Sequence, residues 1–337
     1  MENEELNETL HRLYIAAEAA SSEGLVDEAI DKCEQAMELL DLHYDEALNY
    51  VHSDFMMLAG HSCWEDSDAR KAHHYYRQAY EMDFGRLDAA VAMAVSLFHL
   101  GMFAAAQNHL EMVSADETDV GEVWYYLALL ADRRGDRDLA AIFFQRANEI
   151  EPNRWGKPHY HTEKELEILV EQFFLQLPEE HRSQARNLSL VFLNAPSDAQ
   201  IHSFDPPLDP LSLVLFEGTT LMEEQTFNIE ERTSKLLIFK NNVALIAGDP
   251  EKFRSEFEEA LMEEYSRYLG LPLDDDEESP DEENEDEPTE LTEAEEELYE
   301  VSDADDDVLM DLEEDDEDDE EEDDEDDEGE SWKRGLR

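Results

Sequence analysis

Cysteine is nearly absent from this chain of 337 residues. Cys33 and Cys63 are the only two, too few for a disulfide scaffold and consistent with free thiols in a reducing compartment, so the expected location is the cytoplasm. Basic residues are scarce as well. Lys and Arg number 24 against 91 Asp and Glu, a formal charge of -67. Phosphate neutralisation needs clustered cations, so direct binding of nucleic acid is excluded as a function class, and anionic membrane surfaces are disfavoured for the same reason. No run approaches the roughly 18 apolar residues of a membrane span. The start, Met-Glu-Asn-Glu-Glu, is neither cationic nor apolar, and no signal peptide is expected. The chain also lacks a Gly-rich phosphate loop, a Gly-x-Ser-x-Gly elbow and a cysteine with a catalytic partner, and no cofactor is expected.

What is present is unevenly distributed. Residues 274–330 hold 39 acidic residues and no basic one, which leaves residues 1–273 near -31. A length of this order suggests two domains and a tail. The divisions expected are 1–152, a linker over 153–161, 162–273, and a tail over 274–337.

Residues 1–152 carry an internal period. Small residues recur at Ala72, Ala106 and Ala140, in steps of 34, with Ala29 lying 43 before the first. Four residues after each comes Cys33, Tyr76, Leu110 or Phe144, and seven after comes Ala36, Ala79, Val113 or Ala147. Twelve residues before each lies Ala17, Gly60, Ala94 or Ala128. Small residues at a helix crossing let two backbones approach while large ones fill the gaps, so the pattern predicts antiparallel helix pairs. Gly24, Gly101 and Gly135 mark the turns between paired helices, where a left-handed conformation costs glycine least. This period resembles the tetratricopeptide repeat. The fourth unit, with Trp124, Leu127, Ala128, Gly135, Ala140, Phe144, Ala147 and Pro152, follows that pattern almost completely, whereas the first has irregular spacing and Asp41 in place of the proline.

The resemblance implies that the first helix of each pair lines a concave groove, on which the register places His61, Trp64, Val95, Phe98, Tyr125 and Leu129. Such a surface would grip an apolar or aromatic peptide or a partner helix. The competing reading is that these side chains pack against neighbouring repeats or the following domain. The Lys and Asn pairs with which chaperone-binding members of the family clamp a terminal carboxylate are missing, so that ligand is not expected.

Beyond Pro152 the pattern changes. Arg154 to His161 reads as a polar linker, and Thr162 with Glu165 reads as a capping box opening a helix to about Leu177. Apolar runs at 188–193, 212–216 and 235–240 predict strands, with Pro206, Pro207 and Pro210 holding the intervening stretch as a loop. Asp249-Pro250 opens a long helix that ends at Gly270. The plan is α+β.

Leu-Pro-Glu-Glu (177–180), Phe-Glu-Gly (216–218), Leu-Ile-Phe-Lys (237–240) and Ala-Gly-Asp-Pro (247–250), followed by a helix ending Leu-Gly-Leu (269–271), resemble the minimal bacterial zincin-type metallopeptidase-like domain. In that family the last helix carries His-Glu-x-x-His-x-x-Gly, two histidines one turn apart on one zinc with the glutamate as base. With Gly270 at the motif's glycine, Glu263 stands at the first histidine, Glu264 at the catalytic glutamate and Arg267 at the second histidine. The further ligand position falls on Leu273, beside Asp274. Glu263 and Glu264 point about 100° apart on a helix, next to a cation, a poor arrangement for zinc. The spacing of Glu263 and Arg267 is that of an ordinary helical ion pair. No catalytic residue and no metal ligand is expected. His159 and His161 in the linker, and His73 and His74 in a repeat helix, read as surface or core histidines.

The tail has too little apolar content to bury a core, so disorder is expected. Leu309 and Met310 lie in the one stretch, 291–312, where apolar residues punctuate the acid. They read either as a docking motif or as part of a solubilising brush. The sequence thus predicts an all-α repeat array, a small zincin-like α+β domain without catalysis, and a disordered acidic tail. The function expected is that of an adaptor or scaffold binding proteins or peptides through the groove, and basic proteins through the tail. A metal-dependent peptidase with an atypical carboxylate site at Glu263, Glu264 and Asp274 is one alternative. An acidic-tail chaperone for basic clients is another.

Overall fold

The computed structural model describes residues 3–271, apart from 44–45, 116–118, 186–187, 228–233 and 249. The expected tail, with Leu309 and Met310, lies outside the described residues, as do Leu273 and Asp274. The first eight α-helices form four hairpins. α1 (Asn3–Ser22) packs on α2 (Val26–Leu42), α3 (Asn49–Glu65) on α4 (Ala69–Met82), α5 (Leu87–His99) on α6 (Phe103–Ser114), and α7 (Gly121–Arg133) on α8 (Arg137–Ile150). Each hairpin then stacks on the next.

The small residues of the period sit at the crossings. Ala17, Ala29, Ala72, Ala94, Ala106 and Ala128 have no exposed surface. At Gly60 even a methyl group would come within 2.5 Å of the Tyr76 ring, so the crossing of α3 and α4 admits no side chain there. The large residues of the period, Cys33, Tyr76, Leu110 and Phe144, are buried in the gaps, each apolar side chain contributing about 1.5–3 kcal/mol on removal from water. Cys33 and Cys63 are both buried and unpaired. Burial pushes each thiol up to about 12, which leaves them as inert core residues.

All four turns within hairpins use the same pair of hydrogen bonds. The residue in the left-handed conformation donates three residues back, and its successor donates five back, at 2.9–3.1 Å throughout, closing the last helical turn as in a Schellman motif. The left-handed residue is Gly24 (φ 74°), Gly101 (φ 78°) or Gly135 (φ 80°) in three of them, and Ser67 (φ 64°) in the fourth.

The second half begins with α9 (Glu163–Gln176), whose capping box is formed by Thr162 and Glu165 as expected. Three strands, β1 (Ser189–Leu193), β2 (Val214–Glu217) and β3 (Lys235–Phe239), give a mixed sheet in the order β1-β3-β2. β1 runs parallel and β2 antiparallel to β3. The central strand is buried along Leu236 to Phe239, which explains its unbroken apolar run. Four short helices not foreseen from the sequence connect these elements: α10 (Glu179–Ala185), α11 (Asp198–Ile201), α12 (Leu221–Phe227) and α13 (Lys240–Ile246). The final helix, α14 (Pro250–Leu269), stops at Gly270 (φ 70°) and buries Phe253, Phe257 and Leu261 in one core with Leu166, Val170 and Phe173 of α9. Among the described residues no helix is long and apolar enough to cross a membrane.

The second half docks along the edge of the array where the hairpin turns lie. Arg133 donates to the Pro196 carbonyl (2.9 Å) and to Asp198 (3.1 Å), Arg70 pairs with Asp205 (2.8 Å), and Asp209 meets His99 (3.2 Å). Gly101 lies so close that a Cβ there would be 2.8 Å from Ile201. Leu211 and Leu245 complete the apolar part of this contact.

Ser67 holds a conformation that costs a side-chain-bearing residue about 1–2 kcal/mol, part of which glycine returns in chain entropy. Ser67→Gly is therefore expected to raise stability by about 0.5–1 kcal/mol in urea unfolding, while Gly101→Ala, strained and clashing, lowers it by more. A destabilising Ser67→Gly would show that the serine side chain stabilises the turn.

Candidate functional site

Two concavities concern function, one in each half. The first is a trough of about 750 Å³ between α3, α5, α7 and the segment following α8. α5 contributes Leu87, Asp88, Val91, Ala92 and Val95, two rows at i, i+4 spacing on one helical face. α3 contributes Met57, His61 and Trp64, and α7 contributes Glu122 and Tyr126. Trp155 and Arg154 close the end nearest α8. Desolvation lowers the His61 imidazole, against the raising effects of Glu65 and Asp88. Burial raises the Glu122 carboxyl, with Arg154 acting in the opposite direction.

Of the six residues the sequence register placed on this surface, His61, Trp64 and Val95 line the trough. Phe98 and Leu129 do not. Phe98 is 1% exposed, packed edge-on against Phe103, Tyr126 and His99, and Leu129 belongs to the core between hairpins. Tyr125 is covered by Trp155, whose ring stacks on it at 4.3 Å. The register was carried unchanged from α5 to α7. Yet the trough uses Asp88 and Ala92 on α5 and their equivalents 34 residues on, Glu122 and Tyr126, because Trp155 takes the neighbouring row out of reach. The sequence signal for this was a tryptophan in the stretch Arg154–His161, read as a polar linker. His161 of the same stretch is likewise packed, stacked on Phe253 at 5.2 Å.

The second concavity, about 510 Å³, lies between α14 and the loop 204–214, lined by Ala260, Glu263, Glu264 and Arg267 on the helix and by Pro206, Pro207 and Asp209 on the loop. Arg267 bonds Glu263 at 2.6 Å and approaches Glu264 at 3.4 Å. Glu264 is 6% exposed, and its other oxygen accepts the Phe216 amide of β2 at 2.7 Å. β2 is an edge strand, and the carboxylate satisfies an amide that the sheet leaves unpaired. Burial lifts the Glu264 carboxyl above its ordinary range, opposed by the Phe216 hydrogen bond and by Arg267.

This donor set does not fit zinc. One histidine position holds a guanidinium and the other a carboxylate bound to that guanidinium, while the carboxylate at the glutamate position is committed to the sheet. Among the described residues no group of three or more His, Cys, Asp or Glu side chains is placed to hold a metal ion. His73 and His74 are engaged elsewhere, His73 on Ser96 (2.9 Å) and His74 on Gln78 (3.0 Å).

Residues 185–283 match the family model of zincin-like metallopeptidases. This half contains a zincin-like domain. Among the described residues the final helix of that match is α14, so the cavity above it is where such a domain would place its chemistry. Among solved structures the helical half is similar to the protein MamA (18% identity, TM-score 0.34, covering 40% of this chain and 74% of that one). It is also similar to pilF of Pseudomonas aeruginosa (16%, 0.36, covering 43% and 62%). YrrB, described as a TPR protein with an unusual peptide-binding site, is similar at 15% identity and a TM-score of 0.29, covering 42% and 86%. No curated protein matches the chain. The array itself consists of four helical hairpins with one common turn geometry.

Glu264→Ala strands the Phe216 amide and removes a partner of Arg267, and the expected loss is about 2–3 kcal/mol in urea unfolding. Glu264→Gln keeps an acceptor and sheds a desolvated charge, so it should cost less than about 1 kcal/mol. Equal losses for the two variants would show that charge, and not the hydrogen bond, holds the strand.

Proposed function

We propose that the chain is a protein-interaction scaffold. The repeat array (1–152) receives a segment of a partner protein in the trough between α3, α5 and α7, and the zincin-like domain (162–273) braces the array without catalysis. The observation that carries this reading is the placement of the two halves. The zincin-like half occupies the turn edge, through Arg70, His99 and Arg133, and leaves a trough walled by Trp64, Val91, Val95, Tyr126 and Trp155. A cytoplasmic setting accords with two buried, unpaired thiols. The acidic tail (274–337) would add non-specific attraction for basic proteins through its charge, with Leu309 and Met310 as candidate docking residues.

A second reading draws on the zincin-like match and on Glu264. Its carboxyl is buried and lifted as that of a general base would be, beside a cavity. The commitment of both Glu264 oxygens, and of Glu263 to Arg267, supports the non-catalytic reading instead.

One set of measurements separates them. Trp64→Ala in the full-length protein is expected to abolish capture of partners from a lysate, with a smaller loss of stability than a fully buried aromatic would show, since Trp64 is only partly packed against the core. Phe98→Ala, in the core, should lower stability by about 3–5 kcal/mol. Elemental analysis after dialysis against zinc should find less than stoichiometric metal. One zinc per chain, lost on Glu263→Gln, would overturn the scaffold reading in favour of the peptidase.

A further inference from the structure

One row of the trough is closed by the chain itself. On α5 the trough uses Leu87 and Val91, and their equivalents 34 residues on are Gly121 and Tyr125 of α7. Both of these lie under Trp155. The indole stacks on the Tyr125 ring at 4.3 Å and 24°, and a Cβ at Gly121 would come within 2.8 Å of it. Trp155 stands 34 residues after Gly121, where a fifth hairpin would begin, so one side chain takes the place of a helix. Arg154 lies over the same indole, 4.5 Å from the ring centre, and donates to Glu122 at 3.1 Å. The seat is incompletely satisfied. Trp155 Nε1 is buried with no acceptor among the described residues, and a donor buried in this way offsets part of what burial of the ring contributes. The segment is tied to α8, where Asn148 donates to the Trp155 carbonyl at 2.7 Å, and to α13, where His159 donates to the Ala244 carbonyl at 2.8 Å. Around the ring, Pro152, Asn153, Gly156 and Lys157 are exposed.

We propose that Arg154 and Trp155 are an intramolecular occupant of the partner site, displaced by a partner segment in which an arginine is followed directly by an aromatic residue. The partner's ring stacks on Tyr125 above Gly121, and its arginine takes over the bond to Glu122. The occupant names the chemistry of the partner, because whatever displaces it must cover the same ring face and satisfy the same carboxylate. This inference rests on the scaffold reading and deepens it by naming the ligand chemistry and a contact that opposes binding. The tether gives the internal pair an effective concentration on the order of millimolar. A partner must therefore add affinity from the rest of the trough, and a short peptide binds the intact protein only weakly.

Fluorine NMR of the full-length protein labelled with fluorotryptophan, together with fluorescence anisotropy, tests it. The probe is a peptide copying residues 152–158, Pro-Asn-Arg-Trp-Gly-Lys-Pro, with two variants, one carrying alanine for its tryptophan and one citrulline for its arginine. The alanine form keeps the charge and reports attraction to the acidic tail alone. In the wild-type protein the Trp155 resonance, assigned by its absence from Trp155→Phe, is expected to move to the position of a solvent-exposed indole as the copy peptide is raised to about 10 mM, and to stay in place with the alanine form. Trp155→Ala, its seat free, should bind the copy peptide about tenfold more tightly than wild type or better, and the citrulline form about fivefold more weakly than the copy. Gly121→Val added to Trp155→Ala should remove the gain. If the wild-type resonance stays in place throughout, Trp155 is a fixed cap, so the inference falls and the scaffold reading stands. If the copy and alanine forms bind Trp155→Ala equally, only the tail is bound and the inference falls. The wild-type resonance decides even where Trp155→Ala does not fold. If, besides an unmoved resonance, Trp64→Ala leaves capture of partners unchanged, the scaffold reading falls as well.

Discussion

The distance between paired helices is the constraint on which the rest of this structure depends. Ala94, Ala106, Ala128 and Ala140 are all buried in one core, and at Gly60 the Tyr76 ring occupies the space of a methyl group. Close crossings fix the angle of each hairpin, and equal angles let hairpins stack in register. The register in turn sets the trough, because a row of side chains on α5 and its equivalent on α7 face the same side only if successive hairpins repeat one geometry. The zincin-like half then needs no fit to the helices' broad faces. It seats beside the turns at Ser67, Gly101 and Gly135, which share one hydrogen-bond pattern.

Much of this was legible in the sequence because it depends on local, periodic quantities. The recurrence of Ala72, Ala106 and Ala140 identified the crossings, and Gly24, Gly101 and Gly135 identified the turns. Thr162 with Glu165 announced α9, and the unbroken apolar run of β3 announced a strand. The turn at Ser67 was harder to see, since serine carries no preference for a left-handed backbone. The short helices α10 to α13 escaped because segments of four to seven residues show too little of a helical period to be told from loop.

The candidate site was less legible, for a different reason. His61, Trp64 and Val95 follow from position within a repeat. Tyr126 replaces Tyr125 in the trough because of Trp155, a residue beyond the last helix pair that stacks back on it, and nothing local in the sequence dictates that fold-back. Similarly, the pairing of Glu263 with Arg267 follows from helical spacing, whereas the bond from the Phe216 amide to Glu264 joins residues 48 apart in sequence. Long-range contacts of single side chains are what periodicity cannot report.

The use of Glu264 as a support for an edge strand makes the present state of α14 self-reinforcing. In a metal-binding helix a glutamate at this place must be available to a water molecule, but here its withdrawal would expose an unpaired backbone amide. Any route toward a zinc-binding helix must therefore first forfeit part of the sheet's cohesion. New ligands at positions 263 and 267 would return nothing until both were in place, and the first of them would also unseat Arg267 or its partner. The two uses of the helix are separated by intermediates worse than either.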